Sequence, residues 1–129
     1  MGVRIASVFT NTIIGSPALA AETIIATTGP IGLIEDNAQV FLHAFIELTI
    51  GTSGTALTLR LRRGALVGSP LVNVGQASTV VAANLVRASL VYADFPGVAA
   101  GLQYTLTAQI TAGAAASTVT DVGLMAYVL

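Results

Sequence analysis

The feature that most constrains this chain is a two-residue rhythm. In the run 102–111, LQYTLTAQIT, positions 102, 104, 106, 108 and 110 are apolar or aromatic, and the positions between them are Gln or Thr. A strand sends successive side chains to opposite sides of a sheet, so the rhythm predicts a half-buried β-strand. The run 40–50 repeats it. Val40, Leu42, Ala44, Ile46, Leu48 and Ile50 share one side; Phe41, His43, Phe45, Glu47 and Thr49 share the other. The first side is wholly apolar and belongs in a core. The second is mixed and is open to a partner. Helical periodicity is hard to find anywhere in the chain.

Further strands are predicted near 3–9, 22–28, 57–63, 71–74, 78–82, 86–93 and 118–128. Turn chemistry separates them, including Gly15-Ser-Pro, Thr28-Gly-Pro, Glu35-Asp-Asn, Gly51-Thr-Ser-Gly, Gly68-Ser-Pro and Phe95-Pro-Gly. The alanine-rich run 112–117 lies between two alternating segments and reads as a hairpin loop. Eight to ten short strands at this spacing predict an all-β single domain, an antiparallel β-sandwich or jelly roll. At 129 residues the chain makes one domain. Roughly two-thirds of its unfolded surface can then be buried, so a stable core requires neither metal nor disulfide. The start of the chain imitates a signal peptide, but its apolar middle is broken by Thr10-Asn-Thr and Gly15-Ser-Pro, so it is read as part of the fold.

Charge excludes several functions. Five arginines and no lysine stand against six acids, a net charge of -1, which argues against gripping nucleic acid by counterion release. No aromatic side chain is interleaved with the arginine cluster, as a single-strand platform would need. The uncharged runs 64–86 and 95–120 are punctuated by Gly, Asn, Gln, Ser or Thr and offer no membrane-spanning helix. The aromatic girdles of a small membrane barrel are missing as well.

Reaction chemistry is equally sparse. One histidine and no cysteine cannot make a clustered metal site. His43 reads as a structural or interface histidine, with a pH-responsive role as the alternative. Glu35-Asp36-Asn37 carries oxygens that calcium could use, but three adjacent residues fit a solvated turn better. Gly51-Thr-Ser-Gly-Thr55 misses the nucleophile-elbow spacing by one residue and has no helix after it. No spacing pairs two carboxylates for glycosidase work, and no glycine-rich phosphate loop precedes a helix. The sequence therefore offers no catalytic residue, no cofactor or metal site and no small-molecule substrate, and predicts that the protein is not an enzyme.

Association is better marked. Only 9% of residues are charged, and the 26 residues from 95 to 120 carry no charge at all. A surface of Thr, Ser, Gln and Asn does little to discourage edge or face association, which predicts a closed symmetric oligomer, a trimer in the favoured form. The stretch 56–64, ALTLRLRRG, holds three of the five arginines. Alternation sends Leu57, Leu59 and Leu61 inward and Thr58, Arg60 and Arg62 outward, leaving Arg63 at the turn. The stripe either pairs with carboxylates such as Glu47 on a neighbouring strand or makes forked contacts to an acidic partner.

Four segments carry a resemblance: ALTLRLRRG, then 92–97 (YADFPG), then 102–110, then the terminal 122–129 (VGLMAYVL). Together they resemble small jelly-roll virion proteins of tailed phages, similar in outline to the trimeric tumour-necrosis-factor and C1q head domains. The resemblance covers about residues 38–129. It implies a homotrimer at the capsid surface of a virion that decorates or cements the shell, bound to the major capsid protein or another virion protein. Residues 1–37 are then either a lattice-contacting N-terminal arm or additional strands. Expected contact residues are Phe41, His43, Phe45, Arg60, Arg62, Arg63 and the arm. A receptor-binding module at a tail or fibre tip, and a shell-forming jelly roll, are the alternatives.

Overall fold

In the computed structural model the described residues are 6–10, 15–32, 34–54, 56–76, 79–111 and 116–129. Among them the chain forms eight strands and no helix: β1 (Ala6–Thr10), β2 (Thr23–Thr27), β3 (Val40–Thr49), β4 (Leu57–Arg63), β5 (Leu71–Gln76), β6 (Leu85–Asp94), β7 (Tyr104–Ile110) and β8 (Thr118–Val128). The antiparallel pairs β1·β8, β2·β7, β3·β6 and β4·β5 are those of one long ribbon folded back on itself at β4–β5. Rolling that ribbon adds β3·β8 and β4·β7 and closes two sheets, ordered β1-β8-β3-β6 and β2-β7-β4-β5. This is the jelly-roll way of disposing of most strand edges, and it is the fold class the alternation predicts. Two of the eight strands lie before residue 38, one in each sheet.

The core is the space between the two inner faces. β3 contributes Val40, Leu42, Ala44, Ile46 and Leu48, β8 adds Val122, Leu124, Ala126 and Val128, and β4 and β7 answer from the facing sheet with Leu57, Leu61, Leu106 and Ile110. At the β5–β6 side Gly75 faces Leu90, and a Cβ at Gly75 would collide with the leucine side chain. Glycine there lets the opposing sheet approach, and any larger residue must displace Leu90.

Two local expectations change. The alternation of 102–111 predicts a half-buried strand, yet Thr105 and Thr107 on its polar side are 0% exposed. Outward-facing side chains of β4 and the segment before β2 cover them, as described below. The expected strand at 78–82 is not formed by its described residues: Val80 makes only an isolated bridge to Gly54, and the chain turns at Ala82–Ala83. Ser78 lies outside the described residues, as do 3–5 of the first predicted strand and 112–115 of the predicted hairpin loop. Ala83 takes φ 65°, a left-handed conformation that costs an alanine about 1–2 kcal/mol relative to its ordinary regions.

Candidate functional site

The arginine-bearing stretch is built on β4, and its alternation runs as the sequence indicates, with Leu57, Leu59 and Leu61 buried. Arg60 and Arg62 lie on the outer face of the β2-β7-β4-β5 sheet, where the partner is Glu22, immediately before β2. Arg62 donates from Nε and Nη2 to the two Glu22 oxygens at 2.6 and 2.8 Å, and from Nη1 to the Ser69 carbonyl at 2.8 Å. Arg60 donates to Gln109 at 3.1 Å and stands 3.6 Å from Glu22. The Thr107 hydroxyl donates to the same carboxylate at 2.6 Å. The Arg62 bond holds Glu22 below the usual carboxylate range, outweighing the opposing effect of burial, with Thr107 assisting. These long side chains lie over the threonines of β7 and keep water off them.

Arg63 turns the other way. It donates from Nε and Nη2 to both oxygens of Asp94 at 2.8 and 2.5 Å, and the Tyr104 hydroxyl donates to Asp94 at 2.7 Å. Asp94 closes β6, whereas Arg63 and Tyr104 belong to β4 and β7, so the triad ties one sheet to the other. Burial alone would raise the Asp94 carboxyl, but the Arg63 and Tyr104 hydrogen bonds prevail and hold it below its ordinary value. Burial and the neighbouring carboxylate drive the Tyr104 phenol far upward, so it stays protonated. Among the described residues, every buried side-chain nitrogen or oxygen has a partner.

Glu47, the carboxylate that the sequence offers to the arginine stripe, lies on the other sheet. Its partners are Arg87 of β6, at 2.6 Å, and the Thr120 hydroxyl, at 2.9 Å. Sequence alone cannot pair Glu22 with Arg60 and Arg62, because the contact depends on how the roll brings the start of β2 beside β7 and β4. The structure thus separates the six expected contact residues into two groups. Arg60, Arg62 and Arg63 each meet a carboxylate of their own chain; Phe41, His43 and Phe45 share the outer face of the β1-β8-β3-β6 sheet.

That outer face is laid out by register. Phe41 stands beside Tyr127 and Ala93, and His43 beside Met125 and Val91, with Phe9 of β1 next to Met125. Phe45 stands beside Gly123 and Ser89, and its ring lies where a Cβ of Gly123 would be. The next row is Asp121, Glu47 and Arg87, and beyond a register shift in β8 comes Thr118, Thr49 and Leu85. Phe9 is 53% and Val91 66% exposed. A shallow depression of about 330 Å³ is lined by Phe41, Leu42, His43, Val91, Tyr127 and Leu129. The alternation of 40–50 marks one column of this face. The outward column of β8, Asp121, Gly123, Met125 and Tyr127, is hidden in sequence because its neighbours are also apolar. No group of three or more His, Cys, Asp or Glu among the described residues is placed to hold a metal ion. Nor is any helix long and apolar enough to cross a membrane.

No protein-family model and no curated protein matches the chain. Among solved structures, a chain in the structure of the infectious bursal disease virus Gx strain matches with TM-score 0.52 at 8% identity, over 98% of this chain and 32% of that one. A chain from Bacillus endospore appendages, described as a novel family of disulfide-linked pili, gives TM-score 0.46 at 16% identity, over 97% of this chain and 89% of that one. The protein thus spans about a third of the length of the viral chain, and at such low identity the likeness is one of fold: a β-sandwich that also occurs in a virus structure.

Proposed function

We propose that the chain is a structural, non-enzymatic virion protein that decorates or cements a capsid. It acts as an oligomer, with three copies the number its resemblance to phage jelly-roll proteins implies, and its partner is the major capsid protein or another virion protein at the capsid surface. The observation that carries the reading is the outer face of the β1-β8-β3-β6 sheet, where Phe9, His43 and Val91 stand exposed beside half-buried Phe41 and Tyr127 and form an apolar and aromatic surface. Such a protein works by binding energy alone. Apolar burial supplies roughly 25 cal/mol per Å² before ordering costs, and many identical sites add through multivalency.

The test is the mass of the purified protein in solution, followed by mixing with undecorated capsids and heating the mixture. The expected result is a species heavier than the 13.0 kDa protomer that binds the shell and raises its disruption temperature. A stable monomer that ignores capsids overturns the proposal. The fold likeness to a chain in a virus structure also supports a second reading, that the protein builds the shell itself. Particles assembling from the pure protein would favour that reading over decoration.

A further inference from the structure

The same face carries a charge pattern that selects its occupant. Its charged residues, among those described, are confined to one row: Asp121 on β8, Glu47 on β3 and Arg87 on β6. Arg87 has a side chain 75% exposed and donates to Glu47 through Nε, leaving the outer end of its guanidinium turned to the surface. Read across the sheet, the row is negative, negative, positive. On this face the rows from Phe45 to Phe41 carry no Asp, Glu or Arg.

Resting on the proposed structural role, we infer that this face docks a second copy of the same chain about a two-fold axis running parallel to β3. Two faces can meet symmetrically about an axis along the strands or one across them. An axis across the strands lays the charged row of one copy on the apolar rows of the other, so that Asp121 and the Glu47–Arg87 pair lose water to apolar side chains and gain no opposite charge. An axis along β3 keeps every row on itself and reverses its order. Asp121 then stands opposite Arg87 of the second copy, and Arg87 opposite its Asp121, while Tyr127 lies over Ala93 and Met125 over Val91, large against small. Glu47 meets its own copy near the axis, each carboxylate already neutralised by the Arg87 and Thr120 of its own chain. Stacked sheets keep their strands within about 30° of each other, so the register holds near the axis.

The size of the contact sets its strength. An axis along β3 lays β8, β3 and β6 on one another, three strands about 4.8 Å apart over the 10 residues of β3 at about 3.4 Å each, an overlap of roughly 14 by 34 Å. In projection that is about 490 Å² per partner, the size of a weak, reversible pairing. Pairing through this face leaves the rest of the surface available. Two-fold contacts here and a trimer formed elsewhere would together make a closed dihedral or cubic particle where their axes meet at the required angle, and a lattice where they do not.

The test is a charge exchange read by sedimentation or light scattering. Arg87→Glu alone sets acid against Asp121, and Asp121→Arg alone sets base against Arg87; each acts twice across the axis. Each variant should self-associate at least about tenfold more weakly than the wild-type chain. An equimolar mixture of the two should recover pairing as a heterodimer, because both of its cross-pairs are again of opposite sign. Unchanged thermal melting of both variants shows that the fold is intact, and the mixture itself reports on folded chains. A wild-type monomer, variants that associate as the wild type does, or a mixture that stays monomeric overturns the inference. Capsid binding by the same monomeric chains would show that the proposed structural role survives without the two-fold contact.

Discussion

The two sheets have opposite outer faces. On the β2-β7-β4-β5 sheet, Thr105 and Thr107 are completely buried beneath Arg60, Arg62 and Glu22, and the polar groups there satisfy one another within the chain. On the β1-β8-β3-β6 sheet, Phe9 and Val91 stand more than half exposed around a depression with almost no polar lining. Apart from Leu71 and Val74 of β5, 51% and 43% exposed, the first face meets partners within the chain. The second stays largely open. A polar sequence pattern therefore marks the satisfied surface here, and an apolar one marks the surface proposed to bind.

If that division holds, removing an internal polar partner must cost folding, and altering the apolar face must cost association. The severest test lies at the tie between the sheets. Asp94→Ala leaves the Tyr104 hydroxyl, in a fully buried residue, and the Arg63 guanidinium without their carboxylate. Breaking a buried pair in this way costs about 3–5 kcal/mol, and urea unfolding should show that loss. Acid attacks the same tie. Asp94 and Glu22 are held below their ordinary values in the folded protein, so the unfolded chain binds more protons as the medium acidifies. Their contribution is complete above the unfolded carboxylate range of about pH 4 and is lost as pH falls through the lower folded values. Unfolding midpoints should drop in that window, and Asp94→Asn should show a shallower acid decline.

Arg62→Gln is the next largest effect. It removes the forked bond to Glu22 and the bond to the Ser69 carbonyl, a loss of about 2 kcal/mol for hydrogen bonds to charged groups. Oligomer mass should not change. Weakened association with intact stability would instead make the arginine stripe a contact to an acidic partner, and the two faces would no longer differ in kind.

Much of this was legible in sequence wherever the information is local. Two-residue alternation places Leu57, Leu59 and Leu61 inside and Arg60 and Arg62 outside, and it sets Phe41, His43 and Phe45 on one face with Glu47. What alternation cannot supply is the partner across the fold. Glu22 and Arg62 are 40 residues apart, and only the rolled ribbon brings them together. For the same reason LQYTLTAQIT reads as half-wet although its threonines are dry: the covering side chains belong to β4 and to the segment before β2. The outward residues of β8 escape notice because Met125 and Tyr127 sit among Leu124, Ala126 and Val128, so no polar residue marks the alternation. The surface proposed to bind was thus the harder one to read, since burial and binding use the same side chains.

The smallest expected effect on stability makes the finest test. Val91 lies on the edge strand β6, 66% exposed, beside His43 and two residues from Ala93, the neighbour of Phe41 on the same outer face. Val91→Thr keeps the β-branched shape and the strand preference while exchanging one methyl for a hydroxyl. An exposed position without buried partners should change folding stability by no more than about 0.5 kcal/mol. Association should respond differently, because the hydroxyl must give up water when the face is covered, and a two-fold contact counts the change twice. Self-association is expected to weaken by roughly tenfold, at about 1.4 kcal/mol in all, with the melting temperature unmoved. If melting falls while oligomer mass stays fixed, the apolar face belongs to the fold and not to a partner.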